Sequence, residues 1–310
     1  MIDIKEKTGY SYIPIIAGPT ASGKSAIALR LCEETGGELV SCDSMQIYKG
    51  LNIGTAKDSQ EECAAVPHHL YDILEPGQNF SVNQFTVYAG NATDDILSRN
   101  KLPVYCGGTG QYISAMYFGL KYGDFEIPET VTACLNHVFE TEGIEPLYKR
   151  LEQVDPEAAS KIHPNNTRRV IRALAVYEAT GVTFTEKNEE SQKDGPAYPF
   201  KLFVLNPDRE ELYDRINKRV DLMIESGLVD EARKLYDMDI PEGSTCLQAI
   251  GYKEFKDYFD GKITLDEAAE NIKLNTRHYA KRQITWFKSI EGRIMIEPKQ
   301  NFELILECIR

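Results

Sequence analysis

Short apolar runs alternate with amphipathic stretches in the first third of the chain. Tyr12–Ala17, Glu38–Cys42 and Leu102–Cys106 are brief, largely apolar runs, each followed by glycine or a polar residue, and they predict buried strands. Ala26–Glu34 and Phe80–Ser98 have the spacing of helices. Strands that alternate with helices predict an α/β fold with a parallel sheet and crossover helices.

Residues 121–199 have a different character. They carry no strong strand signal, contain helical stretches such as Asn166–Ala179, and end in a polar, turn-rich run. Strand character resumes at Phe200–Leu205. The sequence therefore predicts a catalytic core built from 1–120 and 200–310, with C-terminal helices, interrupted by a helical insertion.

The charge balance restricts the choice of partners. The chain has 35 Lys and Arg against 48 Asp and Glu, a net charge of −13, so a nucleic-acid role must rest on local basic surfaces. Its seven cysteines form no C-x-x-C pair, which favours reduced thiols over zinc or disulfides. With no signal peptide and no apolar run of about 20 residues, we expect a cytoplasmic protein that does not enter membranes.

A phosphate-binding loop is the strongest chemical signal. The pattern G-x-x-x-x-G-K-S/T follows the first predicted strand and precedes a helix, where backbone N–H groups form a positive concavity for phosphate oxygens. Lys24 adds a charge, and the Ser25 hydroxyl can bind Mg²⁺. The loop consists of Gly18, Pro19, Thr20, Ala21, Ser22, Gly23, Lys24 and Ser25.

The ends of the next strands supply the other candidate groups. Asp43 follows the second predicted strand and Thr109 follows the third, which ends without the acid that a nucleotide hydrolase usually carries there. Strand ends on one edge of a parallel sheet converge on the ligand. The residues alone leave the role of Asp43 open between a general base and a non-basic role, either as a helix cap or as a ligand to a water of Mg²⁺.

Several ordered motifs resemble the tRNA dimethylallyltransferase family. GPTASGKS, DSMQIY, LPVYCGGTGQY, DPEAASKIHPNNTRRVIRALAVYEATG, PDREELYDRINKRVDLMIESGLVDEARKL, AIGYKE and TRHYAKRQITWFK carry the resemblance from about residue 13 to 290. It implies a P-loop-like sheet with a helical insertion, and an enzyme that prenylates the adenosine next to the tRNA anticodon.

The resemblance also implies roles in the reaction. The loop would hold dimethylallyl diphosphate, with Mg²⁺ at Ser25, and Asp43 would accept a proton from the exocyclic amine. Thr109 would lie near the bridging oxygen, and Arg219 would assist at the diphosphate. Without the resemblance, the residues favour a solvated helix position for Arg219.

A stacked adenine cannot react, so the base must be extruded. The resemblance implies that Asp43, Ser44, Met45 and Gln46 contact it, and that the insertion closes over the anticodon stem-loop. Two acid-free windows, 160–173 and 273–288, supply basic surfaces. In the second, Lys273, Arg277, Lys281 and Lys288 fall on one helix stripe, while Leu265, Ala268, Ile272, Tyr279, Trp286 and Ile290 predict the packed side, with Trp286 in the core. The further residues expected at tRNA are Arg168, Arg169, Val170, Ile171, Arg172, Gly251, Tyr252, Arg277, Lys281 and Arg282.

Other features argue against additional sites. Adjacent His68 and His69 point to different sides of an element, so we expect packing or loop roles rather than a metal pair. A carboxylate beside Cys42 would raise the thiol pKa, which disfavours a nucleophile. The chain also departs from the family: the segment 127–135 lacks the usual arginine, and the segment after Thr55-Ala56-Lys57 lacks the usual proline.

Three other functions share the phosphate-binding loop. A prenyltransferase for free AMP or ADP would not need the remote basic surfaces. A nucleoside or nucleotide kinase would consume ATP. A non-catalytic RNA-binding module would not need the intact Lys24, Ser25, Asp43 and Thr109. We expect a monomer that binds dimethylallyl diphosphate, Mg²⁺ and tRNA.

Overall fold

The computed structural model describes residues 3–121, 127–297 and 301–310. Contacts divide the chain into two units, Met1–Tyr117 with Pro196–Arg310, and Phe118–Gly195. We call the first the sheet unit and the second the helical unit. The predicted insertion differs from the helical unit by a few residues at each end. None of the described helices combines the length and hydrophobicity needed to cross a lipid bilayer.

A six-stranded parallel sheet forms the centre of the sheet unit. Its strand order is β3-β2-β4-β1-β5-β6, and every neighbouring pair runs in the same direction. The four predicted strands are confirmed, and the short β3 and β6 extend the sheet at its edges. The strands are β1 (Ile13–Ala17), β2 (Glu38–Ser41), β3 (His68–His69), β4 (Pro103–Gly107), β5 (Phe200–Leu205) and β6 (Ile294–Ile296).

β1 is buried along its whole length, and its side chains alternate between two apolar clusters because helices cover both faces of the sheet. Ile15 belongs to the cluster that includes residues of the helices Val82–Ser98 and Gly110–Phe118. Ile16 belongs to the cluster that includes residues of the helices Lys24–Thr35 and Asn301–Ile309. The predicted helices 26–34 and 80–98 are confirmed. The helices from the first part of the unit are α1 (Ile4–Thr8), α2 (Lys24–Thr35), α3 (Gln60–Ala65), α4 (Val82–Ser98) and α5 (Gly110–Phe118).

The helical unit has its own core. Leu147, Leu151, Val170 and Leu174 are buried in one apolar cluster, and the unit's described residues contain helices but no strand, as predicted. Asn166 caps the predicted helix of this unit by accepting a hydrogen bond from the N–H of Arg169. The helices are α6 (Glu129–Glu142), α7 (Glu145–Val154), α8 (Pro156–Lys161), α9 (Thr167–Thr180) and α10 (Phe184–Ser191).

The C-terminal helices of the sheet unit pack against the segment that follows β2. Tyr48 from this segment shares a buried cluster with Val220, Leu228 and Ile272. This packing brings residues more than 170 positions apart in sequence to the carboxyl edge of the sheet. The helices are α11 (Arg209–Glu225), α12 (Leu228–Tyr236), α13 (Phe255–Phe259), α14 (Leu265–Ser289) and α15 (Asn301–Ile309).

Candidate active site

The phosphate-binding loop connects β1 to α2. Gly23 precedes Lys24 with a φ of 89°, a left-handed conformation that suits glycine, and it directs the chain into the first turn of α2. A Cβ on Gly18 would lie 2.9 Å from the Ser22 hydroxyl and 3.0 Å from Leu205 Cβ, so the turn also needs glycine there. The amides of this helix N-terminus form a site for an anion.

A cavity of about 400 Å³ opens beside this loop. The fold brings together side chains that the sequence separates by more than 250 positions. Cations, one carboxylate and polar groups predicted from the motifs therefore share one space. The predicted site residues that line it are Thr20, Lys24, Ser25, Asp43, Ser44, Met45, Gln46, Arg219, Gly251 and Arg282.

The cavity favours an anionic ligand. Burial lowers the pKa of the Lys24 ammonium, and the nearby Asp43 carboxylate opposes part of that shift. Burial also lowers the pKa of the Arg219 guanidinium, with Asp58 opposing it. Arg219 thus lies in the cavity and not at the solvated position that residue reasoning alone favoured. A diphosphate would stabilise the charged forms of both groups.

Asp43 and Thr109 lie on adjacent loops at the strand ends. One Asp43 oxygen, Oδ1, accepts a hydrogen bond from the N–H of Met45 at 2.8 Å, which fixes the carboxylate against its own loop. The Thr109 hydroxyl accepts one from the N–H of Ser44 at 3.0 Å, and the N–H of Thr109 donates to the Cys42 carbonyl at 3.0 Å. The loops after β2 and β4 are therefore joined directly, as expected for neighbouring strands.

The amide of Gln46 is engaged within the protein. Its oxygen accepts a hydrogen bond from the Ser41 hydroxyl at 2.8 Å, and its nitrogen donates to the carbonyls of Thr55 and Ala56, each at 3.4 Å. Gln46 is buried and still borders the cavity. In this arrangement it supports the wall of the cavity, whereas the sequence predicted a contact with the base.

Gln283 is a site residue that the sequence analysis missed. It is a buried polar residue of α14, only 5% exposed. Its oxygen accepts the N–H of Thr20 at 2.9 Å, and its nitrogen donates to the Gly108 carbonyl at 2.8 Å. A Cβ on Gly108 would lie 2.3 Å from that nitrogen. Gln283 thus joins the phosphate-binding loop to the loop that carries Thr109, and no short-range pattern reveals this.

A second missed group surrounds Asp58. Asp58 Oδ2 accepts a hydrogen bond from the Tyr71 hydroxyl at 2.9 Å and lies 3.1 Å from His68 Nε2. Asp58 and Tyr71 line the cavity. His69 instead contacts Glu38 through Nε2 at 2.8 Å. The two histidines thus have different partners, which agrees with the expectation that they form no metal pair.

The cysteines give no indication of a nucleophile. All seven are free, and all seven lie in the described part of the chain. Burial raises the pKa of the Cys42 thiol well above its ordinary value, and the Asp43 carboxylate contributes, as predicted. Burial also raises the pKa of Cys106, which lines the cavity, to about 12.

Helix α14 differs from the predicted two-sided arrangement. Lys273 is only 13% exposed because it pairs with Asp221 at 2.7 Å and with Glu270 at 2.9 Å, so its charge is already neutralised. Arg277 donates to the side-chain oxygen of Asn217 at 2.6 Å, while Lys281 is exposed. The predicted stripe was therefore wrong for Lys273, whose acidic partner Asp221 comes from α11.

Trp286 was also predicted wrongly. It is 39% exposed, and its ring nitrogen donates to the Ser114 hydroxyl at 3.1 Å. The ring covers Gly110, where a Cβ would come within 2.5 Å of it. Gln283 and Phe287 take the buried positions of this turn instead.

The predicted RNA contacts on α9 separate into two groups. Arg168, Arg169 and Arg172 are exposed, and two of them, Arg168 and Arg172, line a groove beside α6. Val170 and Ile171 are buried in the core of the helical unit, and Ile171 also borders the groove; the side chain of Val170 is not available to RNA. Exposed and buried residues alternate here because α9 is an amphipathic helix.

Gly251 and Tyr252, both predicted to contact tRNA, lie in different environments. Gly251 lines the cavity, but Tyr252 is fully buried, and its hydroxyl donates to Glu231 at 2.7 Å. The Tyr252 ring therefore supports the site from beneath and cannot contact RNA directly. Residues 129–135 of the segment 127–135 lie in the first half of α6.

A phosphate-binding loop at the carboxyl edge of a parallel sheet, with helices on both faces, defines a P-loop α/β protein. The family profile described as IPP transferase matches residues 46–290, and one described as isopentenyl transferase matches residues 11–71. The chain belongs to the IPP transferase family. The resemblance inferred from the motifs is confirmed.

Similar proteins match over nearly the whole chain. The tRNA dimethylallyltransferase of Geobacillus thermodenitrificans is 46% identical over 301 residues, which is 96% of this chain and 95% of that protein. The one from Acetivibrio thermocellus is 46% identical over 278 residues, 90% of this chain and 89% of that protein. The solved tRNA isopentenylpyrophosphate transferase of Bacillus halodurans has a TM-score of 0.70 and 41% identity, covering 96% and 94%. A eukaryotic dimethylallyltransferase acting on tRNA has a TM-score of 0.77 and 30% identity, covering 92% and 73%.

Proposed function

We propose that this chain transfers a dimethylallyl group from dimethylallyl diphosphate to the exocyclic amine N6 of the adenosine adjacent to the anticodon in tRNA, releasing pyrophosphate. The observation that carries the proposal is that Lys24, Ser25, Arg219 and Asp43 line the same cavity. The names of the relatives in this family support the same reaction.

The cations of the cavity act on the leaving group. In the reaction the carbon–oxygen bond between the allylic carbon and the diphosphate breaks, so negative charge develops on pyrophosphate. Lys24, Arg219 and the amides at the start of α2 stabilise that charge. The Thr109 hydroxyl, which accepts the N–H of Ser44, would lie near the bridging oxygen, as the resemblance to the family implies.

Asp43 acts on the acceptor. As N6 attacks the allylic carbon, the nitrogen must lose a proton, and a carboxylate held by the N–H of Met45 can accept it. Proton removal and bond cleavage then occur on opposite sides of the allylic carbon.

The donor set also fits magnesium. A hydroxyl at Ser25 and a carboxylate at Asp43 border the same cavity, and Mg²⁺ typically binds through few protein ligands together with substrate phosphates. Ser25 would hold the ion, which supplies further charge to the diphosphate when bound.

The exposed arginines of α9 and the exposed Lys281 and Arg282 of α14 support binding to the anticodon stem-loop. They carry positive charge on an otherwise acidic protein. A tRNA substrate supports a cytoplasmic location.

The test uses labelled dimethylallyl diphosphate and no ATP. The acceptors are an anticodon stem-loop, the same stem-loop with guanosine at the target position, and AMP, each with and without Mg²⁺. We expect Mg²⁺-dependent label only in the first RNA, and none with Lys24→Ala. Label in AMP would assign the enzyme to free nucleotides, and a strict ATP requirement would assign it to the kinases.

A further inference from the structure

Glu231 lies on α12, outside the lining of the cavity, yet its carboxylate receives four hydrogen bonds. Oε2 accepts the backbone N–H groups of Asn52 at 2.8 Å and Ile53 at 2.9 Å. Oε1 accepts the N–H of Gly54 at 2.9 Å and the hydroxyl of Tyr252 at 2.7 Å. One charge therefore fixes three successive amides of a loop that has no helix or strand pairing of its own.

The loop held in this way forms part of the cavity wall. Gly54 carries the last of the three fixed amides, and it lines the cavity together with the next two residues, Thr55 and Ala56. Gly54 lies against the buried Tyr252 ring, where a Cβ would come within 2.6 Å. Ala56 has a φ of 49°, a left-handed conformation that costs energy for a residue with a side chain. Such a backbone persists only where its surroundings hold it.

The wall continues to the loop after β2. The carbonyls of Thr55 and Ala56 accept the side-chain N–H₂ of Gln46, whose oxygen accepts the Ser41 hydroxyl. Gln46 is three residues from Asp43, so the chain of contacts runs from Glu231 through the wall to the loop that carries the proposed base. The phosphate-binding loop is instead held by Gln283.

We infer that Glu231 is a positioning residue that sets the acceptor side of the site, while Gln283 holds the phosphate-binding loop on the diphosphate side. The inference rests on the proposed function in taking RNA as the acceptor. A displacement of about 1 Å at a reacting group can cost about 100-fold in rate. Glu231 reaches the chemistry only through residues 52–56 and Gln46.

Glu231→Gln tests the inference with little change in shape. The amide keeps one acceptor but places an N–H₂ donor against N–H or O–H donors, so at least one of them loses its partner. We expect kcat/KM for the stem-loop to fall about 100-fold. The dissociation constant for pyrophosphate with Mg²⁺ should stay within about twofold, because the cradle of Lys24 and Ser25 is unaffected.

Two control variants separate positioning from folding. Asp230→Asn removes a neighbouring exposed charge from the same helix and should change nothing. Tyr252→Phe removes one of the four donors and leaves the three backbone amides bound, so its loss should be much smaller. Equal weakening of pyrophosphate and RNA in Glu231→Gln, together with a lower melting temperature, would reduce Glu231 to a structural role. An unchanged kcat/KM would overturn the inference.

Amide hydrogen exchange keeps the inference testable if the proposed function fails. In wild-type protein the N–H groups of Asn52, Ile53 and Gly54 should exchange slowly, and Glu231→Gln should accelerate them and those of residues 43–46. Exchange in the phosphate-binding loop should not change. If the wild-type protein labels no RNA, the proposed function is wrong. If these amides exchange as slowly in Glu231→Gln as in the wild type, the positioning role of Glu231 is wrong, whatever the result with RNA.

Discussion

The hydroxyl of Thr109 accepts a hydrogen bond from the backbone N–H of Ser44 at 3.0 Å, across 65 residues of sequence. The contact joins the loop after β4 to the loop after β2, and Ser44 immediately follows Asp43. The proposed base and the residue proposed for the bridging oxygen are thus fixed to each other through one hydrogen bond. Their spacing is set by the parallel register of β2 and β4.

Thr109→Val and Thr109→Ser separate the hydroxyl from the shape of this residue. Valine has nearly the same volume but cannot accept the Ser44 N–H or donate to the leaving group, so we expect kcat to fall about 100-fold or more. Serine keeps the hydroxyl and should remain within about tenfold of wild type. Steady-state kinetics with the stem-loop give both values. Full activity in the valine variant would exclude a role for the hydroxyl.

Gln283 offers a test of the donor side. Gln283→Leu leaves the N–H of Thr20 and the carbonyl of Gly108 without this partner, a loss of about 1–3 kcal/mol for each buried group. Thermal unfolding should show lower stability, and KM for dimethylallyl diphosphate should rise. Gln283→Glu keeps an acceptor for the N–H of Thr20 but loses the hydrogen-bond donor to Gly108 and adds a negative charge to the cavity lining, so KM for dimethylallyl diphosphate should rise in this variant as well. An equal KM for dimethylallyl diphosphate in the wild type and both variants would show that Gln283 does not support the binding of this substrate.

Asp43→Asn removes the proposed base while keeping the loop. Asparagine retains an oxygen for the N–H of Met45, so the backbone after β2 should not change. We expect prenyl transfer to slow by about 10²–10⁴-fold, with pyrophosphate affinity retained. Single-turnover transfer and pyrophosphate titration provide the two measurements. Transfer within tenfold of wild type would exclude Asp43 as the base.

Lys281 and Lys273 form a matched pair on α14. Lys281 is exposed, whereas Lys273 is paired with Asp221 and Glu270. Lys281→Gln should raise the KM for the stem-loop and lower the slope of log affinity against log salt by about 0.7–0.9, since one phosphate contact is lost. Lys273→Gln should leave that slope unchanged. Identical slopes in wild type and both variants would return Lys281 to an ordinary solvated position.

The environment of Glu38, at the start of β2, leads us to expect that the protein loses stability at acidic pH. Hydrogen bonds from Arg99 above all, with Lys101 and His69, lower the pKa of this buried carboxyl from 4.5 to about 2. Its contribution to stability is therefore complete above pH 4.5 and is lost as the pH falls towards 2. Glu38→Gln should lower the melting temperature at neutral pH. It should also reduce the fall in melting temperature between pH 4.5 and pH 2. The exposed Asp95→Asn should keep the wild-type profile, and an equally steep decline in Glu38→Gln would contradict the assignment.

Local sequence determined the main elements of this protein. A strand or helix depends on the spacing of apolar residues and on neighbours within a turn, so the four central strands, the helices of 24–35 and 82–98 and the phosphate-binding loop could be read directly. The motif order also identified the family. Asp43 and Thr109 could be placed together because the carboxyl ends of parallel strands meet at one edge.

Tertiary structure decided the contacts made by long-range packing. The pairing of Lys273 with Asp221, the exposure of Trp286 and the bond from Thr20 to Gln283 each depend on how helices from distant segments are set against one another. A periodic pattern shows which side of a helix is apolar, but it does not show what lies opposite. For the same reason Glu231 became visible only once the loop of residues 52–54 was seen folded onto it.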